Sequence, residues 1–135
     1  MSKTVLVVDD DPKFLFELSS LLNAEGYSTV PATNGTEAKL ALDGHQAFFD
    51  AAIIDLALPE TGGFQIIGEL ASMQNQPIPL IAITAAYSDV YLEVAKYLGA
   101  QVSIRKPYPG QSLAPIVDAL KQLLEGESES TASFT

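Results

Sequence analysis

Short apolar runs alternate with helically spaced apolar positions along the whole chain. Thr4 to Val8 (TVLVV) is a continuous β-branched run, the pattern of a strand buried on both faces of a parallel sheet. Asp11-Pro12 then reads as a helix N-cap followed by proline in the first turn. Phe14, Leu15, Leu18, Leu21 and Leu22 follow at helical spacing, and Gly26 closes that helix. Tyr27 to Ala32 gives a second strand. Asn34-Gly35 opens a helix that turns Ala38, Ala41 and Leu42 inward and ends near Gly44. Ala51 to Leu56 (AAIIDL) is a third strand, Pro59 to Gly63 a loop, and Phe64, Ile67, Leu70 and Ala71 a third helix.

The second half repeats the alternation. Pro79 to Thr84 (PLIAIT) is a fourth strand. Ser88 or Asp89 caps a helix carrying Leu92, Ala95 and Leu98, which Gly99 stops. Gln101 to Arg105 forms a fifth strand, and Leu113, Ile116, Val117, Leu120, Leu123 and Leu124 mark a final amphipathic helix. Beyond Gly126 the sequence ESESTASFT lacks a core pattern and is expected to be a disordered tail, so the domain is placed at residues 1–126 and the tail at 127–135. Five strand–helix units predict an α/β fold: a doubly wound parallel sheet with helices on both faces and right-handed crossovers. Ligands bind such sheets outside the carboxyl ends of the strands, so the polar residues at those ends are the ones to inspect.

Composition narrows the choice of function. The 135 residues are 47% hydrophobic, which suits one globular domain. Cysteine is absent, which removes disulfides and thiolate metal sites. The N-terminus lacks a signal-peptide pattern, and no apolar run approaches a membrane span, so a soluble, cytoplasmic protein is expected, without membrane association. Seventeen acidic residues against seven basic ones give a formal charge of −10, which disfavours direct nucleic-acid binding.

The strand ends hold a chemically coherent set. The first strand runs into Asp9, Asp10 and Asp11, the third ends at Asp55, the fourth at Thr84, and the fifth at Arg105 and Lys106 before Pro107. Adjacent carboxylates repel unless a cation neutralises them. Oxygen ligands of this kind suit Mg²⁺ (or Mn²⁺). A carboxylate is also a competent nucleophile for phosphoryl transfer, and a cation with a lysine would balance charge on the phosphoryl oxygens.

These residues resemble the receiver domains of two-component response regulators over about residues 3 to 125. The matching pieces are VLVVDDD at 5–11, IIDLALP at 53–59, the glycine at 63, ITA at 83–85 and KP at 106–107. An acidic pair or a KP dipeptide alone is a weak signal; their order and spacing on alternate strands make the joint signal strong. The resemblance implies strand order 2-1-3-4-5 with five helices. It casts Asp55 as phosphoacceptor, Asp10 as a direct metal ligand with Asp9 acting through water, and the backbone carbonyl of Ala57 as a further ligand. It makes Thr84 the hydroxyl that moves toward the phosphoryl group and Lys106 the lysine that pairs with it. A histidine kinase or histidine phosphotransfer protein is then the donor. A downstream protein would bind the face of the fourth helix, fifth strand and fifth helix. By resemblance the Lys106–Pro107 bond could be cis, whereas the sequence alone favours trans.

Other residues carry plainer readings. Asp11 reads as a cap, and His45 as a surface residue. Tyr87, Tyr91 and Tyr97 fit half-buried packing or a partner face equally well. Gly62 and Gly63 make no phosphate-cradling loop. Three features depart from the usual receiver pattern. Ala57 and Ala86 offer no side chain to shield or orient water, Ser103 stands where many receivers have an aromatic ring, and Arg105 replaces a small or apolar residue. Two rival functions share the fold. A pseudo-receiver, a binding module independent of phosphorylation, would not need the full set Asp10, Asp55, Thr84 and Lys106. An aspartate-nucleophile phosphohydrolase would need a general acid where this chain has Ala57. A stand-alone regulator and a fragment of a longer one are both compatible with the sequence.

Overall fold

The computed structural model describes residues 3–45, 49–58, 65–68, 78–85 and 89–126. Five parallel strands form one sheet: β1 (Thr4–Val8), β2 (Ser28–Ala32), β3 (Ala51–Asp55), β4 (Leu80–Thr84) and β5 (Val102–Arg105). Their spatial order is β2-β1-β3-β4-β5, as the resemblance implies. The helices are α1 (Pro12–Ala24), α2 (Gly35–His45), a helical turn α3 at residues 65–68, α4 (Asp89–Leu98) and α5 (Ala114–Lys121). The last helix continues as a π-helical turn, Gln122–Gly126. None of the described helices is long and apolar enough to cross a membrane.

β1 spans its whole apolar run, and each of the other four strands is one residue shorter than its run. Tyr27, Leu56, Pro79 and Gln101 lie just outside the ladders, although Tyr27 and Leu56 remain buried. Proline at 31 is tolerated because β2 is an edge strand, where one side of the ladder needs no donor. Gly26 (φ 98°) and Gly99 (φ 130°) follow α1 and α4 in the left-handed region that glycine adopts without a Cβ clash. Asp11 caps α1 as expected, its carboxylate accepting from the N–H groups of Lys13 and Phe14. Leu21 departs from its predicted core position and lies 37% exposed. The Pro59–Gly63 loop, Phe64, Leu70, Ala71, Ala86, Tyr87, Ser88 and the 127–135 tail lie outside the described residues. No cis peptide bond occurs among the described residues, so Lys106–Pro107 is trans.

Strand side chains alternate between two cores. Val5, Val7, Ala51, Ile53, Ile81 and Ile83 pack with α1 and α5, through Phe14, Leu15, Leu18, Leu22, Ile116, Val117 and Leu120. Leu6, Val8, Ala52, Ile54, Leu80 and Ala82 pack on the opposite face with Ala38 and Leu42 of α2, Ile66 and Ile67 of α3, and Ala95 of α4. All residues of β3 and β4 are buried, which explains why those strands read as unbroken apolar runs. The far end of the sheet is tied by charge: Lys121 pairs with Glu25, and the Tyr27 hydroxyl donates to the Glu125 carboxylate.

This packing separates two positions on α1. Leu18 is fully buried and Phe16 is 73% exposed. Leu18→Ala is expected to lower unfolding free energy by about 3 kcal/mol, the usual scale for a leucine cavity. Phe16→Ala should change it by less than about 1 kcal/mol. Urea denaturation of both variants checks the orientation of α1, and equal losses would contradict it.

Candidate functional site

Register brings the strand-end groups together. Val8 sits opposite Ile54, so Asp9 and Asp55 follow side by side on adjacent central strands. Asp55 is opposite Ile83, and Thr84 is opposite Arg105, one residue before Lys106. Alternation then sorts the side chains by face. Asp9, Asp55 and Lys106 continue the rows of Val7, Ile53 and Ile104, which face α1 and α5. Thr84 continues the row of Leu80 and Ala82, which faces α4.

Asp9 and Asp55 are buried, while Asp10 is exposed. Carboxylate oxygens of all three lie within 4.8 Å of one another. Lys106 reaches into this cluster. Its Nζ donates to Asp9 Oδ1 at 3.1 Å, lies 2.9 Å from Asp9 Oδ2, and lies 3.6 Å from Asp55 Oδ2. The backbone completes the shell: Asp11 N–H donates to Asp9 Oδ1 at 2.8 Å, and Ala57 N–H donates to Asp55 Oδ1 at 2.9 Å. Lys106 itself is anchored by its N–H, which donates to the Thr84 carbonyl at 2.8 Å. Thr84 is fully buried at the end of β4, and Ala57 and Ala85 beside the cluster are exposed.

The electrostatics follow from burial. Loss of solvent pushes the Asp9 carboxyl up to about 6, outweighing the Asp11 N–H and Lys106, while the Asp55 charge adds to the rise. Burial alone would lower the Lys106 pKa, but its hydrogen bond to Asp9 and the charges of Asp9 and Asp55 carry it above the ordinary lysine value. Although Asp9 Oδ2 is close to Lys106 Nζ, no aligned donor reaches it, and it is a buried acceptor without a hydrogen bond. Three carboxylates this close, one of them with an oxygen held by ion pairing alone, fit a hard divalent cation bound through oxygen. The structure thus brings Asp9, Asp10, Asp55 and Lys106 together, with Thr84 buried at the end of the neighbouring strand on the other sheet face.

Sequence reasoning missed two contacts. Lys106 Nζ lies over the Phe14 ring, 4.4 Å from its centroid. The sequence assigned Phe14 only to the core pattern, and its position one turn into α1 was the sole signal. Ser103, standing where many receivers have a ring, donates its hydroxyl to the Leu92 carbonyl of α4 at 2.9 Å. Alternation explains that bond, since Ser103 points from β5 toward the α4 face. Arg105 is exposed. Tyr91 and Tyr97 are 46% and 90% exposed, with Val90 and Val94 also exposed, so α4 presents apolar surface outward and Tyr97 is no packing residue.

The raised Asp9 pKa has a consequence for stability with a fixed sign. Between pH 3.8 and about 6 the unfolded Asp9 ionises while the folded one keeps its proton. Native protein therefore binds more protons, and stability falls as pH rises through that window. Urea midpoints measured in metal-free buffer should show this fall in wild type and a smaller one in Asp9→Asn. Identical pH profiles would refute it.

Comparison with known proteins agrees with this geometry. Residues 5–127 match the response regulator receiver domain family. The response regulator GtcR of Aneurinibacillus migulanus is 34% identical over 137 residues, covering 100% of this chain and 55% of the relative. The regulatory protein VanRc of Enterococcus gallinarum is 27% identical, with 57% of its length covered, so the chain spans about half the length of these relatives. Among solved structures, a CheY-like receiver domain protein from Methanospirillum hungatei superposes with a TM-score of 0.82 at 25% identity, covering 96% of this chain and 99% of that one. A response regulator from Burkholderia pseudomallei, solved with a phosphorylated aspartic acid, a calcium ion and citrate, superposes at 0.75 with 28% identity, covering 99% of this chain and 74% of that one. Receiver domains act with kinases and partner proteins. The chain belongs to the response regulator receiver family, a phosphoacceptor module of two-component signalling.

Proposed function

We propose that Asp55 is the phosphoacceptor and that a phosphohistidine, on a histidine kinase or histidine phosphotransfer protein, is its donor. The observation that carries this reading is the placement of Asp55: a buried carboxylate 3.6 Å from the Lys106 ammonium and within 4.8 Å of Asp9 and Asp10. A carboxylate oxygen of Asp55 attacks phosphorus, the phosphorus–nitrogen bond breaks, and the imidazole leaves with that electron pair. Lys106 balances the charge on the phosphoryl oxygens, and Thr84 supplies the hydroxyl that follows the phosphoryl group. Asp10 would hold Mg²⁺ (or Mn²⁺) directly, Asp9 through water, and Ala57 through its backbone carbonyl. The bound cation would neutralise the carboxylates and the transferring group. The phosphorylated aspartate of the Burkholderia pseudomallei regulator supports the same assignment.

Phosphorylation acts on a partner by shifting a two-state surface. The exposed Val90, Val94 and Tyr97 of α4 support the α4-β5-α5 face as that surface. The folded unit in this reading is residues 1–126, with 127–135 as a tail outside it, working in the cytoplasm.

Mass measurement after treatment with acetyl phosphate and Mg²⁺ tests the acceptor. Wild type should gain one phosphoryl group and Asp55→Asn none. Labelling of neither protein would favour a pseudo-receiver, and equal labelling would remove Asp55 from the reaction. A second measurement tests the cation. Mg²⁺ should raise the melting temperature of wild type, because a ligand for the native state stabilises it. Asp10→Ala relieves like-charge repulsion, so without metal it should be at least as stable as wild type while losing the Mg²⁺ response. An undiminished response would place the cation elsewhere.

A further inference from the structure

Lys106 is held from two directions. Asp9 and Asp55 attract its ammonium from the site side, and the Phe14 ring lies 4.4 Å away. Phe14 is 7% exposed and belongs to the core between the sheet and α1. It also borders a cleft of about 290 Å³ that Lys106, Pro107, Tyr108 and Leu113 line with it. The same atoms also tie down the backbone that carries the ring. Asp9 Oδ1 accepts from Asp11 N–H, the Asp11 carboxylate accepts from Phe14 N–H at 3.4 Å, and Lys106 returns to Asp9. Carboxylate, helix cap, ring and ammonium thus form a closed circuit.

We infer that Phe14 is a positioning residue for Lys106: its π face holds the ammonium at the height from which it reaches Asp9 and Asp55 together. This rests on the reading of Asp55 as phosphoacceptor. A lysine has four rotatable side-chain bonds, and two carboxylates alone leave its approach loosely defined. An aromatic face attracts a cation without supplying a hydrogen-bond acceptor, so it leaves the three N–H groups free for oxygen. The position of the ammonium matters most when the phosphoryl group forms, because a misplaced charge stabilises the transition state poorly. An aliphatic residue of similar bulk would fill the core but not hold the cation.

Phe14→Met removes the π face while keeping most of the volume, and Phe14→Tyr keeps the ring. Phe49→Met serves as control, since Phe49 is buried in the core on the opposite sheet face. With acetyl phosphate and saturating Mg²⁺, Phe14→Met should lower the maximal phosphorylation rate about three- to tenfold. The Mg²⁺ concentration for half-maximal rate should stay unchanged. Phe14→Tyr should stay within about twofold of wild type, and Phe49→Met should lower the melting temperature without this rate loss. Independently of phosphorylation, ring current should shift the Lys106 Hε protons upfield in wild type and Phe14→Tyr, and not in Phe14→Met. Equal rates for Phe14→Met and Phe14→Tyr, or unshifted Lys106 protons in wild type, would overturn the inference. Failure of wild type to accept a phosphoryl group would instead refute the phosphoacceptor reading, and the proton shifts would still decide the role of Phe14.

Discussion

Two carboxylates buried side by side at the ends of adjacent strands are tolerable only if positive charge stands against them. Asp9 and Asp55 occupy that position, and the Lys106 ammonium is the cation that this chain itself supplies. The cost of burying like charges grows as solvent is lost. Backbone donors from Asp11 and Ala57 offset part of it, but one Asp9 oxygen still has no aligned donor. The site therefore keeps an affinity for further positive charge or for a proton. The same imbalance that raises the Asp9 pKa makes the cluster receptive to a divalent cation.

That electrostatic demand also constrains the fold. Asp9 and Asp55 meet only because β1 and β3 pair in parallel with Val8 opposite Ile54. Lys106 reaches them only because β4 lies between β3 and β5 and because its own N–H is fixed to the Thr84 carbonyl. None of these groups is close to the others in sequence. The two apolar cores hold the register, since a one-residue slip would send every strand side chain to the wrong face.

The elements and the principal site residues were legible in the sequence because both follow local rules. Unbroken β-branched runs mark strands buried on two faces, and glycine or a cap marks helix ends. Parallel topology then gathers the strand termini, which made Asp9, Asp55, Thr84 and Lys106 readable as one group. What escaped notice depended on side-chain direction across elements. The helical spacing of Phe14 says that it is buried, but not that a cation from β5 arrives over its ring. Ser103 lacks a ring, and only the three-dimensional approach of α4 gives its hydroxyl the Leu92 carbonyl. Leu21 fits the apolar period of α1, but the period does not say how wide the covered stripe is, and Leu21 lies partly outside it.

Alternation along the strands gives the sheet the character of a partition. Asp9, Asp55 and Lys106 lie on its α1 side, whereas Thr84 and Ser103 lie on its α4 side. The two sides meet at the strand ends, where the Thr84 carbonyl holds Lys106 and the Thr84 side chain belongs to the α4 row. Thr84 thus touches both sides of a wall one residue thick. Residues of α1 border one chamber and residues of α4 the other, so the two sides of the sheet can vary in sequence separately.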